Sequence, residues 1–489
     1  MRLALSRGRV VPLGLLLALS LSSSGQAAVP VTRVITDTFT NTTSPHATAV
    51  EPDTFAFGNT VVVAAQVGRF FNGGASGIGV ATSTDGGGTW TQSNLPGLTT
   101  HNGNGGVFDR VSDPSVAYDP AHNVWMVSSL ALTTSSLGRA ILISRSTDGG
   151  LTWGLPVAAA TAVSNQNFDK NWTTCDTYAT SPFYGNCYTT WDDFGNGNRL
   201  LTSRSLDGGL AWEAALPTAN NATGLGGQPV VQPNGTVIVP TANAFVTSIL
   251  AYSSTDGGAS WSSSVPVSNI SSHDPDGNLR SIPLPSAEVD AAGKVYLVWQ
   301  DCRFRKGCKS NDMVMSTSTN GTTWSAVSRI PIDPTNSGVD HFIPGLGVDP
   351  STSGSGARLG LTFYFYRQAR CPKRTGCQLE VGYVQSNDGG STWSQRADVA
   401  GPFPLTWTVD TTQGRMVGDY ISTSWLGGTA TAAFAVATQA PSPFDEAIYL
   451  PAGGLAPASG GFVNTSQGEK AVPGAASDHA SSQSAIRRH

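Results

Sequence analysis

Charge is scarce in this chain of 489 residues: Asp, Glu, Lys and Arg make up 12% of it, and Glu occurs at only six positions. A long-helix or coiled-coil protein, rich in Ala, Glu, Lys and Leu, is excluded on that ground. Wholesale disorder is excluded as well. Disordered chains combine low hydrophobicity with high net charge, whereas here the hydrophobic share is 39% and the net charge −5. Beyond the first twenty residues no apolar run is long enough to cross a bilayer. The six cysteines lack the Cys-x-x-Cys spacing of zinc knuckles, and no histidine pair accompanies them. What is abundant is Gly, at 56 residues, together with 12 Trp. The composition is that of a turn-rich, all-β protein.

Arg2, Arg7 and Arg9 precede the apolar run Val10–Leu19, and Gly25-Gln26-Ala27-Ala28 then offers a small-residue cleavage site. That order predicts a secretory signal peptide over residues 1–28. An N-terminal anchor is the alternative, but the run is short for a span. Without the three arginines, 25 basic residues face 33 acidic ones, a net charge of −8. An acidic surface argues against nucleic acid and anionic membranes as partners. The cysteines fall in three pairs close in sequence: Cys175 and Cys187, Cys302 and Cys308, Cys371 and Cys377. Three local disulfides in an oxidising, extracellular setting are expected.

An octapeptide recurs six times. It reads Ser83-Thr84-Asp85-Gly86-Gly87-Gly88-Thr89-Trp90 at its first copy, and returns with its acid at Asp148, Asp207 and Asp256. A degenerate fifth copy carries Asn320, and the sixth Asp388; the intervals are 63, 59, 49, 64 and 68 residues. The residue types explain one another. Asp accepts N–H bonds from the residues after it, Gly takes up positive φ, and Trp anchors the turn on the sheet beneath. A strand-like run precedes each copy, so the copies are hairpin loops.

The repeat resembles the Asp box (BNR repeat) of the sialidase superfamily. The resemblance implies a β-propeller with each loop between the third and fourth strands of a blade, on the face away from the active site. It therefore assigns the six acids to structure. Between loops a second pair of strands recurs, as in Asp113–Asp119 with Asn123–Val127, which makes four strands per unit. A seventh unit without the octapeptide runs from Gly418 to Leu450, and the spare stretch Thr32-Arg33-Val34-Ile35-Thr36 offers its missing fourth strand. Seven blades over residues 29–450 are expected, with six as the alternative, followed by a loose Gly/Ala/Ser-rich tail over 451–489.

The scarce charge outside the loops gathers at the opposite rim. Loops leading into the inner strands offer Glu51, Asp53, Arg110, Asp113, Asp169, Lys170, Arg280, Asp340, His341, Arg415 and Asp419. Loops leaving the second strands offer Gln66, Arg69, Trp191, Asp192, Asp193, Asp301, Arg303 and Arg367. From these, Asp169, Asp192, Asp193, Asp301 and Asp419 are the candidates for acid/base or nucleophile work. Arg280, Arg303, Arg367 and Arg415 are the anion clamps, with Trp191 and His341 beside them. The family's Arg-Ile-Pro motif normally precedes the first loop. Here the only copy, Arg329-Ile330-Pro331, follows the fifth, and Asp37–Gly58 contains no Arg. The reading is a secreted, monomeric glycoside hydrolase of exo-α-sialidase type acting on a glycan, an acidic sugar among the candidates. The alternative is a noncatalytic propeller that binds glycan or protein. No cofactor is expected; clustered Asp could serve a structural Ca2+ through oxygen ligands, but no D-x-D-x-D-G loop is present.

Overall fold

A computed structural model describes residues 29–440 and 443–465; the expected signal peptide lies outside the described residues. The chain forms successive antiparallel meanders of four strands. The first is Ala49–Phe57, Thr60–Arg69, Ala75–Ser83 and Thr91–Asn94. The second is Arg110–Asp119, Val124–Leu132, Gly138–Ser146 and Val157–Thr161, joined to the first by the bridge between Ala75 and Val111. The third begins with Phe168–Cys175 and Cys187–Asp193, the fourth with Gly224–Leu225 and Val230–Val231, and the fifth with Ser286–Val289 and Val295–Asp301. The sixth starts at Asp340–Val348 and the last at Ser422–Leu426. That last sheet, through Thr429–Ala437 and Glu446–Pro451, takes its fourth strand from the far end of the chain: Val31–Ile35 pairs antiparallel with Glu446–Pro451.

The first strands of the sheets lie side by side. Ala49–Phe57 touches both Arg110–Asp119 and Ser422–Leu426. Side chains tie neighbours together where backbone pairing stops. Val116 N donates to Asp53 (2.7 Å), Thr173 N to Ser115 Oγ (2.8 Å) and Ala287 N to Gln228 Oε1 (2.7 Å). Leu346 N donates to Ser286 Oγ (3.0 Å), and Ser424 Oγ to Thr54 O (2.9 Å). Second strands such as Val61-Val62-Val63-Ala64-Ala65 are buried on both faces, as their unbroken apolar run requires. The core consists of apolar layers between adjacent sheets; Val62, Val80, Val116 and Trp125 share one, and Met126, Ile141, Cys187 and Leu201 the next.

Each octapeptide loop sits between a third and a fourth strand, and each closes on itself. In the first, Ser83 Oγ donates to Asp85 (2.8 Å), Gly87 N to Ser83 Oγ (2.8 Å) and Thr89 N to Asp85 (2.9 Å). Gly86 and Gly87 take φ of 81° and 89°, a region that strains residues with a Cβ. The tryptophans reach the interior as expected: Trp261 and Trp393 are buried in the core, and Trp90, Trp153, Trp212 and Trp324 pack partly buried against it. All three expected disulfides are formed: Cys175 with Cys187, Cys302 with Cys308, and Cys371 with Cys377. The first ties two neighbouring strands, while Cys308 and Cys377 each close a loop of six residues back onto its start. Residues 451–465, assigned to the tail from their composition, are structured. Leu455 N bonds Ala430 O (2.7 Å), and Phe462–Asn464 pairs with Thr392–Ser394. Two apolar anchors, Leu455 and Ala458, are buried there and outweigh the local Gly/Ser bias.

Candidate functional site

Three of the first strands carry an irregularity near their starts that re-aims a charged side chain. The register slips between Val50 and Asp53, between Ser112 and Ser115, and between Asp169 and Trp172. At these bulges Glu51, Asp113 and Lys170 adopt φ of 58°, 48° and 48°. Left-handed backbone is rare outside Gly and is strained for long side chains; its repetition at equivalent places marks a site that the surrounding fold enforces. The sixth sheet has the same slip between Phe342 and Pro344, but there the left-handed residue is Ile343.

The three re-aimed side chains converge with Arg280, Asp419 and Arg69 at the end of the first strands opposite the octapeptide loops. Lys170 Nζ lies 3.4 Å from Glu51 Oε1 and 3.4 Å from Asp113 Oδ1, and contacts Asp419 Oδ2 directly. Arg280 clamps Asp419 bidentately, Nε to Oδ1 at 2.7 Å and Nη2 to Oδ2. Gln66 Nε2 donates to Glu51, and Tyr420 OH to Pro114 O (2.9 Å). Every one of these residues is buried. Burial disfavours charge on all of them, and partner charges decide which keep it. Desolvation would push the Lys170 ammonium down, but Asp113, Asp419 and Glu51 outweigh it and the group stays protonated. Desolvation would raise Asp419 as well; Arg280 and then Lys170 reverse that and hold it well below the usual carboxylate range. Glu51 goes the other way: burial raises it, and Lys170 does not fully compensate. One carboxyl is thus biased toward its acid form and its neighbour toward the carboxylate, both touching one ammonium.

Arg69 differs from the other cations of the cluster. Only 2% exposed, its guanidinium donates to the carbonyls of Phe70 (2.9 Å) and Gly74 (2.8 Å) and makes no ion pair among the described residues. Desolvation, then the nearby Arg280 charge, lowers its pKa to about 10. Glu51, Asp419 and Asp113 offset part of this without pairing with Arg69, and a buried cation with no paired anion is costly unless an anion joins it. Over the cluster lies the hairpin Val409–Thr411/Gly414–Met416. It is fastened by Glu51 N to Val417 O (2.9 Å), Arg280 N to Arg415 O (2.7 Å) and Thr412 N to Phe71 O (2.9 Å). A small cleft lined by Lys170, Trp172, Leu284, Pro285 and Tyr420 reaches the cluster from the side.

Of the residues singled out from sequence, this arrangement unites Asp419 and Arg280. Asp169 and Asp192 face each other across two paired strands. Burial, then the Asp169 charge, pushes Asp192 well above the usual range, while Asn198 donates to it (2.7 Å). Asp193 is a loop anchor, accepting from Asn167 N (3.0 Å) and Asn196 (2.6 Å). Asp301 is bound by Arg303 (2.7 Å), Trp299 Nε1 (3.2 Å) and Ser271 N (3.1 Å), so Asp301 and Arg303 neutralise each other. Arg367, 54% exposed, pairs with Glu380 and Asp398 at an outer sheet edge. Arg415 donates to Thr408 O (2.6 Å) from the covering hairpin. Trp191 is a core residue against Phe168, with ring centroids 5.4 Å apart. His341 is buried with Nδ1 on Asn311 O (3.0 Å), and burial lowers its pKa to about 4. With Asp312 and Asp333 it could converge on a metal ion. Arg305 and Arg329 already pair with both of those acids, so the set does not suit a cation.

No protein-family model matches the chain, and no curated protein matches it in sequence. Its fold is similar to solved structures at low identity. A Hadza microbial sialidase, Hz136, is 15% identical with a TM-score of 0.45, over 81% of this chain and 73% of that one. A PL25 ulvan lyase is 12% identical with a TM-score of 0.47, over 86% and 95%. An α-L-arabinanase from Penicillium chrysogenum is 12% identical with a TM-score of 0.45, over 86% and 98%.

Glu51, Asp113, Lys170 and Arg69 stood among the rim charges but were not singled out as site residues. A signal for two of them is present in the sequence. Glu51-Pro52 and Asp113-Pro114 place an acid before proline at the same point of successive units, where the proline removes a backbone donor and favours a break in the ladder.

Proposed function

We propose that the chain is a secreted, sialidase-like glycoside hydrolase on a seven-bladed β-propeller, acting on a glycan that carries an acidic sugar. The observation that carries this reading is Arg69, a buried guanidinium without a counter-ion, next to carboxyls of opposite protonation bias. In this reading Arg69 receives the substrate's carboxylate, while Arg280 holds Asp419 ionised. Glu51 serves as general acid and Asp419 as the ionised carboxylate facing the developing positive charge. Both touch the Lys170 ammonium, which holds the two carboxyls close together. The pairing of Val31–Ile35 with the last sheet supports a closed ring, the self-bonded octapeptide loops support their assignment as Asp boxes, and three disulfides suit export.

A noncatalytic glycan- or protein-binding propeller is the second reading, and the closed hairpin over a largely self-neutralised cluster favours it. Release of fluorophore from a panel of aryl glycosides, a sialoside included, decides between them. Wild type should release it, and Glu51→Gln should lose at least about a thousandfold in kcat/KM with unchanged far-UV circular dichroism. No release by wild type from any substrate removes the hydrolase reading and leaves the binding one.

A further inference from the structure

At the other end of the first strands, toward the octapeptide loops, lies a cavity of about 140 Å³ that the proposed chemistry does not use. Its wall includes Asp53, Trp172, Tyr178, Gln228, Glu288 and Trp425. Gln228 is buried, at 9% exposure; its Oε1 accepts from Ala287 N (2.7 Å), which fixes the amide's orientation, and its Nε2 has no protein partner among the described residues. Glu288 makes no hydrogen bond or ion pair among them either, and the Tyr178 hydroxyl is likewise unmatched. Glu288 and Tyr178 are half-buried and line the cavity, so their polar groups, with the Gln228 amide, are open to a ligand or ordered water there. The wall holds neither Lys nor Arg. Burial raises Asp53 to about 7 and, with a smaller contribution from Asp53, Glu288 to about 8. Near neutrality Glu288 is therefore mostly protonated and Asp53 partly so, and a protonated carboxyl is a donor and an acceptor at once.

We propose that this axial cavity is a second binding site, for one neutral polyhydroxylated ligand the size of a single sugar residue. Hydroxyl groups both give and take hydrogen bonds, which matches an amide N–H, two carboxyls and a phenol. Trp172 and Tyr178 supply the apolar faces against which a sugar ring's C–H surfaces rest. An anionic sugar is disfavoured, because the wall holds two acids and no base. The volume, below the ~300 Å³ of ordinary ligand pockets, limits the occupant to one small ring. The cavity shares Trp172 and Gln228 with the cleft that reaches the Glu51–Asp419 cluster, but none of the cluster's charged residues lines it.

Isothermal titration of the full chain with D-galactose, D-glucose, N-acetylneuraminic acid or CaCl2 tests this. One of the two neutral hexoses should bind wild type and Glu51→Gln equally. Its affinity should fall at least tenfold in Glu288→Leu and vanish in Val289→Trp, whose indole fills the cavity, while near-UV circular dichroism stays native. Because Glu51→Gln disables only the proposed hydrolase site, failure there and failure here are read separately. Absence of hexose binding, or hexose binding unchanged in both cavity variants, overturns the proposal. So does Ca2+ binding that Glu288→Leu abolishes, which would make the cavity a cation site.

Discussion

The two ends of the first strands are built on opposite terms. At the octapeptide face, each loop satisfies its own Asp or Asn within eight residues: Ser254 Oγ (2.8 Å), Ser260 N (3.0 Å) and Ser260 Oγ (2.6 Å) all donate to Asp256. At the other end, Glu51, Asp113, Lys170, Arg280 and Asp419 come from five places in the chain, and the ion pairs that join them all span distant segments. A local loop in water exchanges hydrogen bonds with solvent at little net cost, so its loss is small. A buried ion network has no solvent to fall back on, so losing one member exposes the desolvation cost of the rest.

The largest expected effect follows directly. Lys170→Met leaves Glu51, Asp113 and Asp419 crowded in a buried space with Arg280 as the one adjoining clamp, and should cost about 3–5 kcal/mol. Urea unfolding monitored by Trp fluorescence reads this, and a loss below about 1 kcal/mol would mean that water reaches the cluster freely. Asp256→Ala should cost only about 1 kcal/mol, the scale of a lost capping residue. A loss as large as that of Lys170→Met would erase the contrast between the two ends. A third effect concerns pH. Asp53 and Glu288 have folded pKa values of about 7 and about 8, above their ordinary 3.8 and 4.5. The folded state therefore holds their protons more tightly. The stability this contributes is complete below about pH 4 and is lost as pH rises through about 7 to 8. Glu288→Gln should flatten the decline of Tm between about pH 5 and 9; an identical decline in the variant would place the titration elsewhere.

Much of the fold was legible because it is written locally. The repeated Asp, Gly and Trp have fixed spacing, and the hydrogen bonds they form reach only a few residues along the chain, as in Gly87 N to Ser83 Oγ. The strand Val31–Ile35 was recognisable as the missing partner of the last sheet because only one unit lacked a strand. The site was legible in part. Asp419 and Arg280 could be chosen as rim charges, but Asp301 and Arg303, equally placed by that criterion, spend their charges on each other. Trp191 and His341 were attractive as chemistry-bearing side chains, yet both are buried in packing that their own strands dictate. Which of these charges enter the cluster depends on where each ladder slips, and Lys170-Asn171 slips without any proline to announce it.

The sequence by itself determined the class of architecture, the hairpin loops and the disulfide pairs, because each rests on residues close along the chain and on short-range geometry. Only the tertiary structure decided that Glu51, Asp113, Lys170, Arg280 and Asp419 form one network and that Arg69 stands beside it without a counter-ion. Protonation is a property of that assembly: burial sets the cost of every charge, and only the neighbours brought in from distant sheets decide which charges survive it.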